Sequence, residues 1–163
     1  LRVEWSAQEK APYVELTSRV ATRDRAIDFA RPARAPALAS AERKHYLAAT
    51  DLIPTDGIVR QTADKIVGAA RNDLDKARAI YEWVVDNSYR RASTRGCGIG
   101  DIAAMLKSGD LGGKCADLNA LFVGLARASG ITARDVYGIR VAPSRFGSKS
   151  RGATSAVIHK TQH

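Results

Sequence analysis

The residues best suited to chemistry are Gly112, Gly113, Lys114 and Cys115, which directly precede an apolar pattern at helical spacing from Leu118 to Leu125. This spacing predicts that Cys115 lies in the first turn of a helix. Unpaired N–H groups and the positive end of the helix dipole favour a thiolate there, and Lys114 adds a positive charge. The two glycines would let a substrate approach the sulfur closely. The pattern therefore predicts a nucleophile suited to acyl transfer.

The residues around Cys115 also carry a family resemblance. The run from Gly112 to Gly138, GGKCADLNALFVGLARASGITARDVYG, resembles the catalytic segment of bacterial transglutaminase-like proteins, which are relatives of papain-type cysteine proteases. The similarity extends from about Tyr81 to the end of the chain, and more loosely from Leu52. It implies that Cys115 caps a buried helix, whereas a cysteine without this context is more often a small buried hydrophobe. It also implies a following sheet that carries a catalytic histidine and aspartate.

The resemblance assigns the general base to His163, because the approach Lys160-Thr161-Gln162 matches the strand that carries the family's histidine. Without the family resemblance, a histidine at the end of the chain would be interpreted as a frayed, solvent-exposed residue. The family's third catalytic residue is an aspartate beyond the histidine, and no such residue follows His163. Asp117 lies in the nucleophile's own helix, and Asp135 is expected to pair with Arg134 or water, so both are poor substitutes. We therefore expect a truncated site and an unfinished sheet whose edge could pair with another chain.

Two functions are consistent with these residues. In the first, Cys115 attacks a glutamine carboxamide or peptide carbonyl, His163 moves the proton, and Gly113 and Lys114 contact the protein or peptide substrate. This reaction needs no cofactor. In the second, the chain is a non-catalytic scaffold or binding module that keeps the fold but lacks the third triad residue. Protease, transglutaminase and deamidase activities are not separable from the sequence.

Composition argues against several other classes. The formal charge is +9, but the arginines and lysines are not interleaved with stacking aromatics and no nucleic-acid motif is present, so we predict a solvated basic face and no specific nucleic-acid partner. A basic nucleic-acid binder is a third and weaker hypothesis, which a steep fall of affinity with salt would support. No apolar run is long enough to span a membrane. His159 and His163 are four residues apart but lack the glutamate and third ligand of a zinc site. The resemblance implies a periplasmic or exported location, although no signal peptide is visible.

The second cysteine, Cys97, lies in a glycine-rich loop, Arg95 to Asp101, that fits neither a P-loop nor a dinucleotide fingerprint. The loop could approach Cys115, but we give Cys97 no catalytic role. Pairing the two cysteines would consume the thiol that the helix start activates, so both are expected to be reduced.

The elements that must position Cys115 can be predicted from local patterns. A half-buried strand is expected from Tyr13 to Thr22, and a Pro/Ala-rich linker from Arg31 to Ser40. The segment from Lys44 to Thr50 is a strand or a short helix. A helix is expected from Ile58 to Ala70. Another strand is expected from Thr132 to Val141.

Two further helices have clear end signals. One is capped by Asn72 with Asp75 three residues on, and its predicted buried stripe is Leu74, Ala77, Tyr81 and Val84, with Trp83 also in the core. The other runs from Ile102 to Ser108, with Asp101 as its cap and Gly109 at its end.

Together these elements predict an α+β fold. A helical half, with Cys115 at the start of the central helix, is expected to pack on an antiparallel sheet formed by strands near Val136 and Ile158. The expected organisation is an N-terminal strand and linker over residues 1–40, followed by a transglutaminase-like core over residues 41–163.

Overall fold

The computed structural model describes residues 3–6, 11–15, 17, 19, 21, 28–29 and 36–137. The chain divides into two compact units, residues 1–37 and residues 38–163. In the first unit, the described residues form no helix or strand, and the Tyr13 side chain is 82% exposed. The strand predicted from Tyr13 to Thr22 is therefore wrong for the described part of that range. Alternating polarity does not make a stable strand unless a second strand pairs with it.

The second unit contains five described helices and two short strands. The helices are α1 (Ser40–Leu47), α2 (Gly57–Val67), α3 (Asp73–Asn87), α4 (Ile102–Ser108) and α5 (Cys115–Ala128). The strands are β1 (Tyr89–Arg90) and β2 (Gly112–Gly113). Of the segment left open as strand or helix, residues 44–47 belong to α1 and residues 48–50 form neither element. The helix predicted from Ile58 is α2, which ends three residues early. No helix in the described part of the chain is long and apolar enough to cross a lipid bilayer.

The local capping signals are confirmed at α3 and α4. Asn72 Oδ1 accepts a hydrogen bond from the Asp75 amide at 2.9 Å. Asp101 Oδ1 accepts one from the Ala104 amide at 3.0 Å. Each bond satisfies an amide that the first turn of a helix would otherwise leave without an acceptor. At the other end of α4, Gly109 adopts a left-handed φ of 72°, which a residue with a Cβ would tolerate poorly.

The core of the second unit is built around α5, which contacts each of the other four helices. Leu121 and Leu125 of α5 are fully buried, as are Ile80 of α3 and Ile102 of α4. Helix α5 is therefore the central element of the core, as the sequence predicted. Because both ends and most faces of α5 are packed, the position of its first turn is set by the whole helical unit.

The buried face of α3 differs from the predicted one. Ile80 and Val84 are buried, and Trp83 packs partly against the core, as expected. Leu74 and Tyr81, however, are 37% and 61% exposed, so half of the predicted stripe is wrong. Neighbouring residues in a helix differ by about 100° in direction. Burying Ile80 therefore turns Tyr81 towards solvent, and a stripe of mixed apolar residues does not by itself determine which rotation packs.

The sheet is small and parallel. Strands β1 and β2 pair in parallel, with Tyr89 opposite Gly112 and Arg90 opposite Gly113. The architecture is mixed helix and sheet, consistent with an α+β fold, but the predicted antiparallel sheet is wrong for the described strands. The two strands flank α4, and a connection that includes a helix is the usual way to join parallel neighbours.

The strands assigned to the antiparallel sheet lie further along the chain. Residues 131–137 form no strand. The rest of that predicted strand, to Val141, and the segment from Ser155 to His163 lie outside the described residues.

Candidate active site

Cys115 is the first residue of α5, as predicted, and its side chain is half-buried with a free thiol. The helix continues into the core through Ala120 and Leu121, both of which are buried. Strand β2 ends two residues before Cys115 and fixes the incoming chain against β1. The sulfur therefore lies at a rigid junction between a strand and a buried helix. Such a junction gives a nucleophile a defined direction.

Asp117 forms the anchor of this junction. The side chain lies in the first turn of α5, is only 7% exposed, and is the one buried charged residue in the described part of the chain. Its Oδ2 accepts a hydrogen bond from the Lys114 amide, and its Oδ1 accepts bonds from the amides of Ile99 and Gly100, all at 2.9 Å. A buried carboxylate with three amide donors is well satisfied. Asp117 therefore joins the loop before α4 to Lys114, the residue that precedes Cys115.

The glycines around Asp117 make this arrangement possible. A Cβ on Gly98 or on Gly113 would overlap the Asp117 side chain. Gly98 also has φ +97°, in the region that other residues rarely adopt. The requirement for glycine at 98 and 113 is therefore set by the close approach of a buried carboxylate. The sequence analysis had given Gly113 a role in admitting substrate, and packing against Asp117 is a separate reason for its presence.

Cys97 lies against the start of α5. Its carbonyl oxygen accepts a hydrogen bond from the Ala116 amide at 2.9 Å. The loop that carries Cys97 turns through three glycines with positive φ, Gly96, Gly98 and Gly100. A Cβ on Gly100 would lie 3.2 Å from the Ala120 Cβ, so the loop packs tightly on α5. The Ala116 amide is consequently occupied.

A second polar cluster holds the chain just before β2. The Arg91 guanidinium bonds the Asp110 carboxylate, lies over the Tyr89 ring at 5.4 Å, and donates to the Tyr89 hydroxyl at 2.6 Å. Asp110 Oδ1 also accepts the Gly112 amide at 3.1 Å. The hydrogen bond from Arg91, followed by that from Gly112, lowers the pKa of Asp110 to about 2, and the same pairing raises the pKa of Arg91. Arg91, one of the basic residues of the chain, is thus paired with a carboxylate just before β2.

Tyr137 lies in the segment after α5 and is 59% exposed. Burial, followed by the negative charge of Asp135, raises the pKa of the Tyr137 hydroxyl. The sequence analysis placed this tyrosine only in the predicted strand from Thr132 to Val141.

The sequence analysis predicts that Asp135 pairs with Arg134 or with water, and the pairing with Arg134 is wrong. Arg134 donates to the Tyr46 hydroxyl at 3.2 Å and lies over its ring. Among the described residues, no donor bonds the buried Asp135 Oδ1. Burial raises the pKa of Asp135, and the positive charge of Arg127 opposes this shift.

A cleft of about 360 Å³ lies between α1 and the segment after α5, away from Cys115. It is lined by Leu38, Glu42, Tyr46, Thr132, Ala133 and Arg134. None of these residues belongs to the first turn of α5. In the described part of the chain, no three His, Cys, Asp or Glu side chains come together as metal ligands.

The predicted site residues can now be located. Cys115 and Lys114 are half-buried at the start of α5, with Lys114 as its N-cap, and Gly113 is buried in β2. His163, the predicted base, lies outside the described residues, as does His159. The structurally central residue that the sequence analysis had set aside is Asp117. Its position three residues after the N-cap is the spacing of a capping carboxylate, and that signal could have identified it.

Comparison with known proteins gives two matches. The model of the transglutaminase-like superfamily matches residues 60–162. A protein of Haemophilus influenzae (strain ATCC 51907 / DSM 11121 / KW20 / Rd), named as an uncharacterized protein, is 49% identical over 115 residues, which are 70% of this chain and 31% of the relative. The chain thus spans about a third of the length of that relative. No solved structure matches the chain significantly.

Proposed function

The chain belongs to the transglutaminase-like superfamily, and on this premise we propose that it uses Cys115 for acyl transfer or for hydrolysis of an amide or peptide bond. The substrate class is a protein or peptide that presents a glutamine carboxamide or a backbone carbonyl. Cys115 is the nucleophile and His163 is the general base. Lys114 and Gly113 lie next to the sulfur in the chain and are the proposed substrate contacts.

The observation that carries this proposal is the anchored start of α5. Cys115 stands between β2 and a buried helix, and the carboxylate of Asp117 holds the preceding amide of Lys114 at 2.9 Å. A thiol in a mobile loop would spend little time in an orientation from which it can attack a carbonyl. Orientation of a nucleophile before substrate binds contributes directly to rate. This anchoring therefore supports a catalytic role better than it supports a merely structural cysteine.

The proposed reaction has two stages. His163 takes the thiol proton, the Cys115 sulfur attacks the carbonyl carbon, and a C–S bond forms as the carbonyl oxygen becomes an oxyanion. When the oxyanion collapses, the C–N bond breaks, and the base returns its proton to the leaving nitrogen. The product is a thioester on Cys115. Water or an amine then attacks the thioester, releases the acyl group and restores the thiol.

The hydrogen bonds of the first turn limit which donors stabilise the oxyanion. The Ala116 amide already donates to the Cys97 carbonyl, and the Lys114 amide donates to Asp117. We therefore propose that the Cys115 amide, for which the described residues offer no acceptor, donates a hydrogen bond to the oxyanion. A side chain would supply the second donor. A single missing donor in such a site typically costs about 100- to 1,000-fold in rate.

Acylation of Cys115 is the test of this function. The reduced full chain is mixed with p-nitrophenyl acetate, and released nitrophenolate is followed by absorbance while intact mass records the acetylated protein. We expect a stoichiometric burst, with the acetyl group mapped to the peptide Cys115–Arg127. Added hydroxylamine should remove it, since amines attack thioesters.

The matched controls are Cys115→Ala and Cys97→Ala, which remove one thiol each. The burst is expected to disappear in the first and to persist in the second. His163→Ala is expected to slow acylation while leaving Cys115 in place. Equal acetylation of both cysteines in the original chain, with no effect of His163→Ala, would contradict the proposal and favour the non-catalytic binding module.

A further inference from the structure

The strongest observation that the proposed function does not use is the position of Cys97. This residue is held against the first turn of α5 by the 2.9 Å bond between its carbonyl and the Ala116 amide. Both cysteines are free and half-buried. The chain contains two cysteines in all, and the fold brings them together from positions 18 residues apart in sequence.

The hydrogen bond sets the separation of the two α-carbons. The acceptor is the carbonyl of Cys97 itself, and the donor nitrogen follows the carbonyl carbon of Cys115. Standard backbone dimensions and an ordinary hydrogen bond then place the two Cα atoms roughly 5–7 Å apart. Cysteines joined by a disulfide have Cα atoms about 4.4–6.8 Å apart. The Cα spacing is therefore within the range that a disulfide requires.

The loop that carries Cys97 is also fixed on its other side. The amides of Ile99 and Gly100 both donate to Asp117 Oδ1 at 2.9 Å, and Gly98 packs directly against the same carboxylate. Asp117 is part of α5, so the loop and the helix start form one unit. These contacts place the Cys97 loop against the first turn of α5 in the folded state.

We propose that Cys97 is a resolving thiol that forms a reversible disulfide with Cys115 when the protein meets a peroxide. The Cys115 thiolate attacks hydrogen peroxide, and Cys115 sulfenic acid forms as hydroxide leaves. The Cys97 thiol then attacks the sulfenic sulfur, the S–S bond forms, and water leaves. In total, two thiols lose two electrons and two protons, and one peroxide becomes two waters.

This modification would switch off the nucleophile and protect it. A disulfide at Cys115 cannot acylate, whereas further oxidation of a sulfenic acid to sulfinic acid is irreversible for most proteins. A dithiol reductant would restore both thiols by exchange. The effect on activity rests on the proposed function, but formation of the disulfide does not. The two can therefore fail separately.

The experiment uses the reduced full chain with hydrogen peroxide, quenched with N-ethylmaleimide at intervals. Intact mass should fall by two hydrogens, and trypsin without reductant should give the peptide Gly96–Lys107 joined to Cys115–Arg127. The rate should not depend on protein concentration, because the bond forms within one chain. Dithiothreitol should return both the free thiols and acylation by p-nitrophenyl acetate.

The control variants are Cys97→Ser and Cys97→Ala, which keep the carbonyl that bonds Ala116. In both, we expect irreversible sulfinic acid at Cys115 to build up about tenfold faster than in the original chain, because the neighbouring thiol is no longer there to compete. Equal build-up in all three chains, with no joined peptide, would overturn the inference. A joined peptide whose yield rises with protein concentration would also overturn it. If the peptide forms but the reduced chain never acylates, the disulfide stands and the proposed function fails.

Discussion

The carboxylate of Asp117 accepts a hydrogen bond from the Gly100 amide at 2.9 Å, and this bond joins the loop that carries Cys97 to the helix that begins at Cys115. The contact spans 17 residues of sequence and is buried. The amides of Ile99 and Lys114 also donate hydrogen bonds to this carboxylate. The geometry around the thiol thus depends on a single side chain that takes no direct part in the proposed chemistry.

We expect Asp117→Asn to destabilise the protein by about 1–3 kcal/mol, the usual cost of leaving a buried donor without its acceptor. Both oxygens of Asp117 accept backbone amides, but asparagine has only one acceptor oxygen. Its NH₂ group would therefore lie against a backbone N–H, and two donors cannot form a hydrogen bond. The free energy of unfolding in urea measures the loss. The variant is also expected to acylate Cys115 more slowly, since the anchor of Lys114 is lost.

The matched control for that change is Asp101→Asn, which makes the same substitution at the cap of α4. Asparagine caps a helix about as well as aspartate, so stability should change by only a few tenths of a kcal/mol. Similar losses in the two variants would mean that the three amide bonds to Asp117 contribute no more than an ordinary helix cap.

Gly98→Ala is expected to be far more damaging than Gly96→Ala, although the two glycines lie in the same loop. Both have positive φ, +97° and +59°, and an L residue in the left-handed region costs roughly 1–2 kcal/mol. At Gly96 nothing lies within 4 Å of an added Cβ, so that strain is the whole effect. At Gly98 the Cβ would overlap the Asp117 carboxylate and break its amide bonds.

Urea unfolding of the two alanine variants gives the comparison, and oxidation by hydrogen peroxide gives a second measurement. In Gly98→Ala the Cys97–Cys115 disulfide should form more slowly, because the loop is displaced from α5. Equal destabilisation of both variants would show that the loop adjusts freely around Asp117.

The pair formed by Arg91 and Asp110 predicts a defined dependence of stability on pH. The pKa of Asp110 is lowered from 3.8 to about 2, so the folded state binds this proton more weakly than the unfolded state. The stabilisation from the pair is therefore fully present above about pH 4 and is lost as pH falls through about 2. Asp110→Asn should lower the melting temperature at pH 7, and the difference from the original chain should shrink towards pH 2.

Arg91→Gln and the double variant provide the control for this prediction. If Asp110 acts through Arg91, the effects of the two single changes should not add at pH 7, and high salt should reduce the coupling because the pair is partly exposed. A difference in melting temperature that stays constant from pH 7 to pH 2 would contradict the assignment.

Local signals were enough to predict most of the helices. Asn72 and Asp101 supply their own cap bonds, and Gly109 supplies the backbone conformation that ends α4. The start of α5 at Cys115 likewise follows from the change from a glycine pair to an apolar period. These features depend on interactions within four residues, which the local sequence specifies without contacts from the rest of the fold.

The tertiary structure decided the features that depend on distant contacts. Burial of Ile80 in place of Tyr81 depends on how α3 is rotated against α5, because the two side chains point about 100° apart around the helix. The parallel pairing of Tyr89 with Gly112 depends on the path of the chain through α4, which no alternation within a strand encodes.

The same division holds at the candidate site. The sequence by itself determined that Cys115 begins a helix beside Lys114, because residue types and spacing specify a helix start. Only the tertiary structure determined that Asp117 turns inward to the amides of the glycine loop and that Cys97 comes to rest against Ala116. A carboxylate at a helix start is ordinarily solvated. It is buried here because the folded loop lies over it and donates backbone hydrogen bonds to it. The glycines of that loop have no side chains to prevent this close approach.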